Sequence, residues 1–246
     1  MIVKKLALLL ICCVGIFFIL SFIQKGHISG NKTVTTENKN LSIEVDEVVH
    51  KLNLLDSQGI AFSIPFSSIP IYRDYLQEQS YTVVEIERSS FELLPLISSD
   101  GSKYGVLTYN CGNKLCSSLL VKLSKTITSI ELGNGMLMDM KQSPNLGHAV
   151  FRYGENEGNI VIRNRLILIN LENMELLHPE RKVFSKEFVE SATWPITEYE
   201  WSNDQNLLIR IADIQNADYD SLLTWFNGSN KTKKIEIEIE IGLEKN

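Results

Sequence analysis

Histidine and cysteine are scarce in this 246-residue chain, four of each, and proline occurs only six times. His27 lies in a polar stretch, His178 stands directly before Pro179, His50 has no His or Cys at i±4, and nothing pairs with His148. General-base candidates are therefore few, and no His/Cys set has zinc-ligand spacing. No G-x-S-x-G elbow, H-E-x-x-H pair or P-loop occurs, and Gly133-Asn134-Gly135 lacks the spacing of a dinucleotide fingerprint. A dense basic patch is also missing. Lys231-Thr232-Lys233-Lys234 runs straight into glutamates, and the net charge is −6, which argues against a nucleic-acid partner. No catalytic residue, cofactor or metal ligand is assigned. Paired carboxylates leave no spacing signature, so hydrolysis of a cell-envelope polymer stays open as an alternative.

What the chain does have begins at its N-terminus. Leu6 to Ile23 contains no charged residue. At about 1.5 Å per residue the run reaches roughly 27 Å, close to the hydrocarbon thickness of a bilayer. It predicts a single transmembrane helix over 6–23, with a cytoplasmic N-terminus at 1–5 and a polar linker at 24–41. A cleaved signal peptide fits less well, because no small-x-small site follows Ile23. A lipoprotein signal fits less well too, because Leu10-Ile11 precede Cys12. Cys12 and Cys13 read as apolar fillers of the helix. Lys4 and Lys5 are balanced by Lys25, Lys32 and Lys39, so charge alone leaves the orientation undecided.

Residues 42–90 read as a short α/β section. Val45, Val48, Val49, Leu52 and Leu55 follow helical spacing, with Ser42 as N-cap and Gly59 as stop. Ile60–Ile64 reads as a strand, Tyr72–Gln79 as a short helix, and the β-branched run Tyr81–Glu87 as another strand.

From Phe91 to the end the texture is one of short strands and turns. LISSDGSKYGVLTY (96–109), MKQSPNLGHAVFRY (140–153) and YEWSNDQNLLIRIA (199–212) align on a serine, a turn of Asp/Asn/Pro/Gly, and an apolar strand. Side chains of Ser, Asp and Asn bond nearby backbone N–H groups in such turns. Further apolar runs follow at Leu119–Leu123, Leu166–Leu171 and Leu222–Phe226, so each unit predicts a small antiparallel sheet of its own. Ile235, Ile237, Ile239 and Ile241 alternate with Glu236, Glu238 and Glu240, the period-two pattern of a half-buried strand.

The Ser-x-Asp-Gly opening resembles the blade repeat of TolB-like and WD40-like β-propellers, whose opening reads Ser-Pro-Asp-Gly. The first unit keeps Asp100-Gly101. The second keeps Ser143-Pro144 but continues Asn145-Leu146, and the third keeps Ser202 and Asp204 without Pro or Gly. The resemblance implies a mainly β domain over 91–246, a partial or small propeller-like stack of antiparallel sheets that binds through its rim loops. A β-sandwich with similar turns is the alternative.

Cys111 and Cys116 flank a four-residue loop between two strand-like runs. A structural disulfide is expected there, which places the domain in an oxidising, extracytoplasmic compartment. Trp194, Tyr199 and Trp201 cluster around the start of the third unit. Sheet core is the plainer reading, and an exposed patch contacting carbohydrate or peptide is the alternative. Together these features lead to an expectation. The chain is a membrane-anchored extracytoplasmic protein that binds a protein or envelope component without catalysis of its own. A structural or regulatory sensor component is a further alternative.

Overall fold

A computed structural model describes residues 51–55, 61–112, 115–158, 160–228 and 230–240. The expected membrane helix, the linker and the start of the Ser42 helix lie outside these residues. Among the described residues no helix is long and apolar enough to cross a membrane.

The N-terminal part begins with a hairpin of β1 (Lys51–Leu55) and β2 (Ala61–Pro65), paired antiparallel from Lys51↔Pro65 to Leu55↔Ala61. Leu52 and Leu55 therefore lie in a strand, not on the expected helix. Helical spacing loses here to pairing with the apolar run that follows, because strand preference depends on what a residue packs against. Two helices come next, α1 (Pro70–Gln77) and α2 (Thr82–Arg88). The strand expected at Tyr81–Glu87 is α2. Its middle residue, Glu85, accepts from Tyr75 Oη on α1 at 2.5 Å and from Arg88 one turn on at 3.3 Å. These contacts need helical spacing.

Ten strands follow: β3 (Ser90–Leu94), β4 (Lys103–Tyr109), β5 (Cys116–Leu123), β6 (Thr128–Gln142), β7 (His148–Glu157), β8 (Val161–Asn170), β9 (Glu175–Pro179), β10 (Ile196–Trp201), β11 (Asn206–Ala212) and β12 (Thr232–Glu240). Between β11 and β12 runs α3 (Tyr219–Asn227), where the sequence pattern predicts a strand at Leu222–Phe226. Asp218 caps this helix, its carboxylate accepting from Ser221 N at 2.9 Å. Leu222 and Trp225, one turn apart, bury the same face.

The domain is mainly β, as expected, but the three repeat units are not separate sheets. All ten strands form one antiparallel ladder in the order β10-β11-β12-β9-β8-β7-β6-β5-β4-β3. Neither a closed barrel nor a propeller ring forms among the described residues. The ladder joins the units because β6 serves two neighbours. Cys116↔Gly135 is its last pair with β5, and Met136↔Gly154 its first with β7.

This ladder is folded twice. Tyr104 Oη on β4 donates to Leu171 O, just past β8, at 2.9 Å. These strands are four steps apart in the ladder, about 19 Å in a flat sheet, so the sheet turns back at β6. Likewise Tyr199 Oη on β10 donates to Asp139 on β6 at 2.7 Å, across six ladder steps. Three sections result: β3 to the first half of β6, the second half of β6 to β9, and β10 to β12. Tyr104, Val106, Leu120, Phe151, Tyr153 and Ile167 pack between the first and second sections. Val150, Leu166, Leu168, Ile209 and Ile237 pack between the second and third. On its other face the first section buries Leu107, Tyr109, Leu119 and Val121 against Ile69, Tyr72 and Leu76.

The repeated turns share their chemistry. Asp100 Oδ1 accepts from Ser102 N (2.9 Å) and from Ser98 Oγ. Asn145 Oδ1 accepts from Gly147 N (2.9 Å) and Ser143 Oγ (2.7 Å). Asn203 Oδ1 accepts from Gln205 N and Asn206 N, both at 2.8 Å. They also touch in series. Gln142 exchanges two hydrogen bonds with Ile97, at 2.6 and 3.0 Å, and Asn145 N donates to Asp204 at 2.8 Å.

Candidate binding cleft

The corner in β6 is built by Gly133-Asn134-Gly135, whose glycines have φ of +82° and +142°. Left-handed and extended positive-φ backbone of this kind is open to glycine at little cost. The missing side chains matter as much as the backbone. A Cβ on Gly133 would meet the Arg165 guanidinium at 2.8 Å, and one on Gly135 would meet the Tyr153 ring at 3.1 Å. The corner can therefore sit directly on these two groups.

Where the first two sections part at this corner, a cleft of about 330 Å³ opens. β4 and β5 supply Val106, Thr108, Cys116 and Ser118, the edge strand β3 supplies Ser90 and Glu92, and Met136 and Leu137 of β6 form the opposite wall. Met136 is 50% exposed. At the inner end Ser118 Oγ donates to Gly133 O at 3.1 Å and lies 2.8 Å from Tyr153 Oη. Arg165 stacks on the Tyr153 ring at 5.8 Å and donates to Asn134 O. Its Nε is buried with no partner among the described residues. Burial pushes the Tyr153 hydroxyl up to about 12, against smaller opposing effects of Ser118 and Arg165. Ser118 thus faces a neutral phenol and a carbonyl, and neither takes a proton from it at neutral pH. The arrangement fits binding: Met136, Leu137 and Val106 form an apolar lining beside a few hydroxyls and the Glu92 carboxylate.

Cys111 and Cys116 are bonded, their sulfurs 2.09 Å apart, and Cys116 lines the cleft. The aromatic group is not one exposed patch. Tyr199 is 2% exposed, its ring covered by Lys141 Nζ at 4.9 Å and the Arg152 guanidinium at 5.3 Å. Burial, and then the bond to Asp139, push its hydroxyl far up. Trp201, half-buried, donates from Nε1 to Lys141 O at 3.2 Å. Trp194 packs against the core between the second and third sections, under Lys233 Nζ at 5.4 Å. These three belong to the core between sections.

A second hollow, about 230 Å³, lies on the outer face of the third section between Arg181, Phe184, Asn206, Glu236 and Glu238. Glu180 shares a hydrogen bond with Glu238 and raises its carboxyl. Sequence reasoning missed Glu92, Ser118 and Met136 as site residues. The available signal was the Gly-x-Gly inside a strand-like run, which marks a bend or a close backbone approach. Comparison of the chain with protein-family models, with curated proteins and with solved structures yields no match.

Proposed function

We propose that this chain is a membrane-anchored, extracytoplasmic binding protein that takes a partner polypeptide or envelope component in the cleft beside Cys116. One observation carries the reading: the cleft at the β6 corner, lined by Val106, Met136 and Leu137, whose Ser118 hydroxyl is held between a backbone carbonyl and a phenol. The uncharged Leu6–Ile23 run supports the anchor. The Cys111–Cys116 bond supports an oxidising compartment. The three turns, hydrogen-bonded in series, support an open stack of blade-like sections resembling TolB-like repeats. In that reading the cleft is the gap between two blades.

The test is photo-crosslinking in cells. A crosslinking amino acid at Met136 should yield a discrete adduct, and one at Val183, also exposed but outside the cleft, should not. No adduct at Met136 would reject the reading.

A further inference from the structure

The two edges of the ladder are finished differently. At β10, Arg152 Nη1 donates to Ile196 O at 2.5 Å and to Thr197 O at 3.4 Å, and Lys141 Nζ donates to Tyr199 O at 2.5 Å. Cationic side chains laid over an edge in this way block pairing with another strand. At the opposite edge, β3 pairs with β4. Among the described residues, no side chain or turn bonds to the backbone of Ser90–Leu94 beyond that ladder. An antiparallel edge leaves every second residue with its N–H and C=O pointing outward.

This open edge is also one wall of the cleft. Ser90 and Glu92 face into it, while Phe91 packs on the opposite face of the sheet. A strand laid beside β3 would therefore send alternate side chains along the row of Ser90 and Glu92, toward the apolar walls at Val106 and Met136.

We infer that the cleft's partner is an extended polypeptide segment that adds to β3 as an eleventh strand, with apolar residues at alternate positions and a lysine or arginine opposite Glu92. The inference rests on the cleft reading above and adds the backbone to it. Charge selects a heterologous segment over a second copy. Glu92 is the middle residue of Ser90–Leu94, so symmetric antiparallel pairing of two β3 strands sets it opposite its own equivalent, and like charges so placed repel. Unpaired backbone groups supply affinity and alternate side chains supply selectivity, as in strand-addition recognition generally.

The test selects random peptides displayed on phage against the full chain in lipid nanodiscs. Enriched peptides should alternate apolar residues and carry a basic residue. N-methylation of one alternate set of residues should weaken binding about tenfold or more, and methylation of the other set should leave it unchanged. Glu92→Lys should weaken binding, while Lys141→Ala at the other edge should not. Peptides displaced by Met136→Asp, yet indifferent to both methylation sets and to Glu92→Lys, would overturn strand addition and leave the cleft reading standing. Absence of any enrichment would overturn both. Self-association of the chain through β3, detected by sedimentation and altered by Glu92→Lys, would overturn the heterologous partner.

Discussion

The first and last sections of the folded sheet present opposite outer faces. From the first, Leu107, Tyr109, Leu119 and Val121 turn outward and are buried beneath Ile69, Tyr72 and Leu76 of the α/β part. From the last, Glu198, Glu200, Glu236 and Glu238 turn outward and are exposed, with Arg210 paired to Glu198 at 2.7 Å. An antiparallel sheet tolerates one wet face, so only the first section needs a covering layer. The strand sequences carry this difference. β5 has apolar residues in succession, Leu119-Leu120-Val121, one set for each face, whereas β12 alternates isoleucine with glutamate.

The sharpest test of this contrast is a pair of truncations. Leu119→Ala in the covered face should lower unfolding free energy by about 3 kcal/mol, because the void cannot fully collapse. Leu208→Ala on the open face should cost less than about 1 kcal/mol. Equal losses in chemical denaturation would break the contrast.

Next in size is the seam that holds the last section on the second. Asn164 is 3% exposed, accepts from Ile196 N at 2.8 Å and donates to Tyr153 O at 3.3 Å. Asn164→Ala leaves buried backbone groups unpaired and should cost about 1–3 kcal/mol by the same measurement.

A smaller effect is expected at the inner end of the cleft, in the first seam. Tyr153→Phe removes the bond to Ser118 and should cost about 1 kcal/mol. Its hydroxyl is pushed up to about 12 by burial, whereas an unfolded tyrosine titrates near 10. Between those values the unfolded chain releases a proton that the native chain keeps. The stabilisation present below about pH 10 is therefore lost as pH rises through that window. Denaturation midpoints across the alkaline range should fall less steeply for Tyr153→Phe than for the unsubstituted chain.

The smallest effect belongs to the open face. Glu180 raises the Glu238 carboxyl, so the native state holds that proton more tightly than the unfolded chain does. Stability then declines as pH rises from the ordinary carboxylate value through the raised one. Glu238→Gln should raise the thermal midpoint at about pH 7 and leave it unchanged at about pH 4. An equal gain at both would remove the pair from the account of this face.

Much of the β domain was legible because its signals are local. The turn at Asp100-Gly101 and its relatives at Asn145 and Asn203 are made by side chains bonding backbone two or three residues away. The cysteine pair closes a short loop, which a hairpin brings together without help. The errors fall where local preference and long-range packing disagree. Leu52 is claimed by β2, Glu85 by α1, and Leu222 and Trp225 by a core including Val161 and Ala212. The cleft was not legible, because Met136, Glu92 and Ser118 meet through the corner in β6 and not through any spacing along the chain.

By itself the sequence determined the mainly β character, the positions of most strands and turns, and the residues that form the disulfide. Period-two alternation, turn chemistry and short-loop closure act over a few residues and leave few competing solutions. The tertiary structure alone decided that the repeats join into one ladder, that this ladder folds twice, and that Tyr199 is core. Strand pairing and face-to-face packing connect residues far apart in the chain. Their outcome depends on the Gly133–Gly135 bend and on which apolar faces find each other, and neither is written in any one stretch.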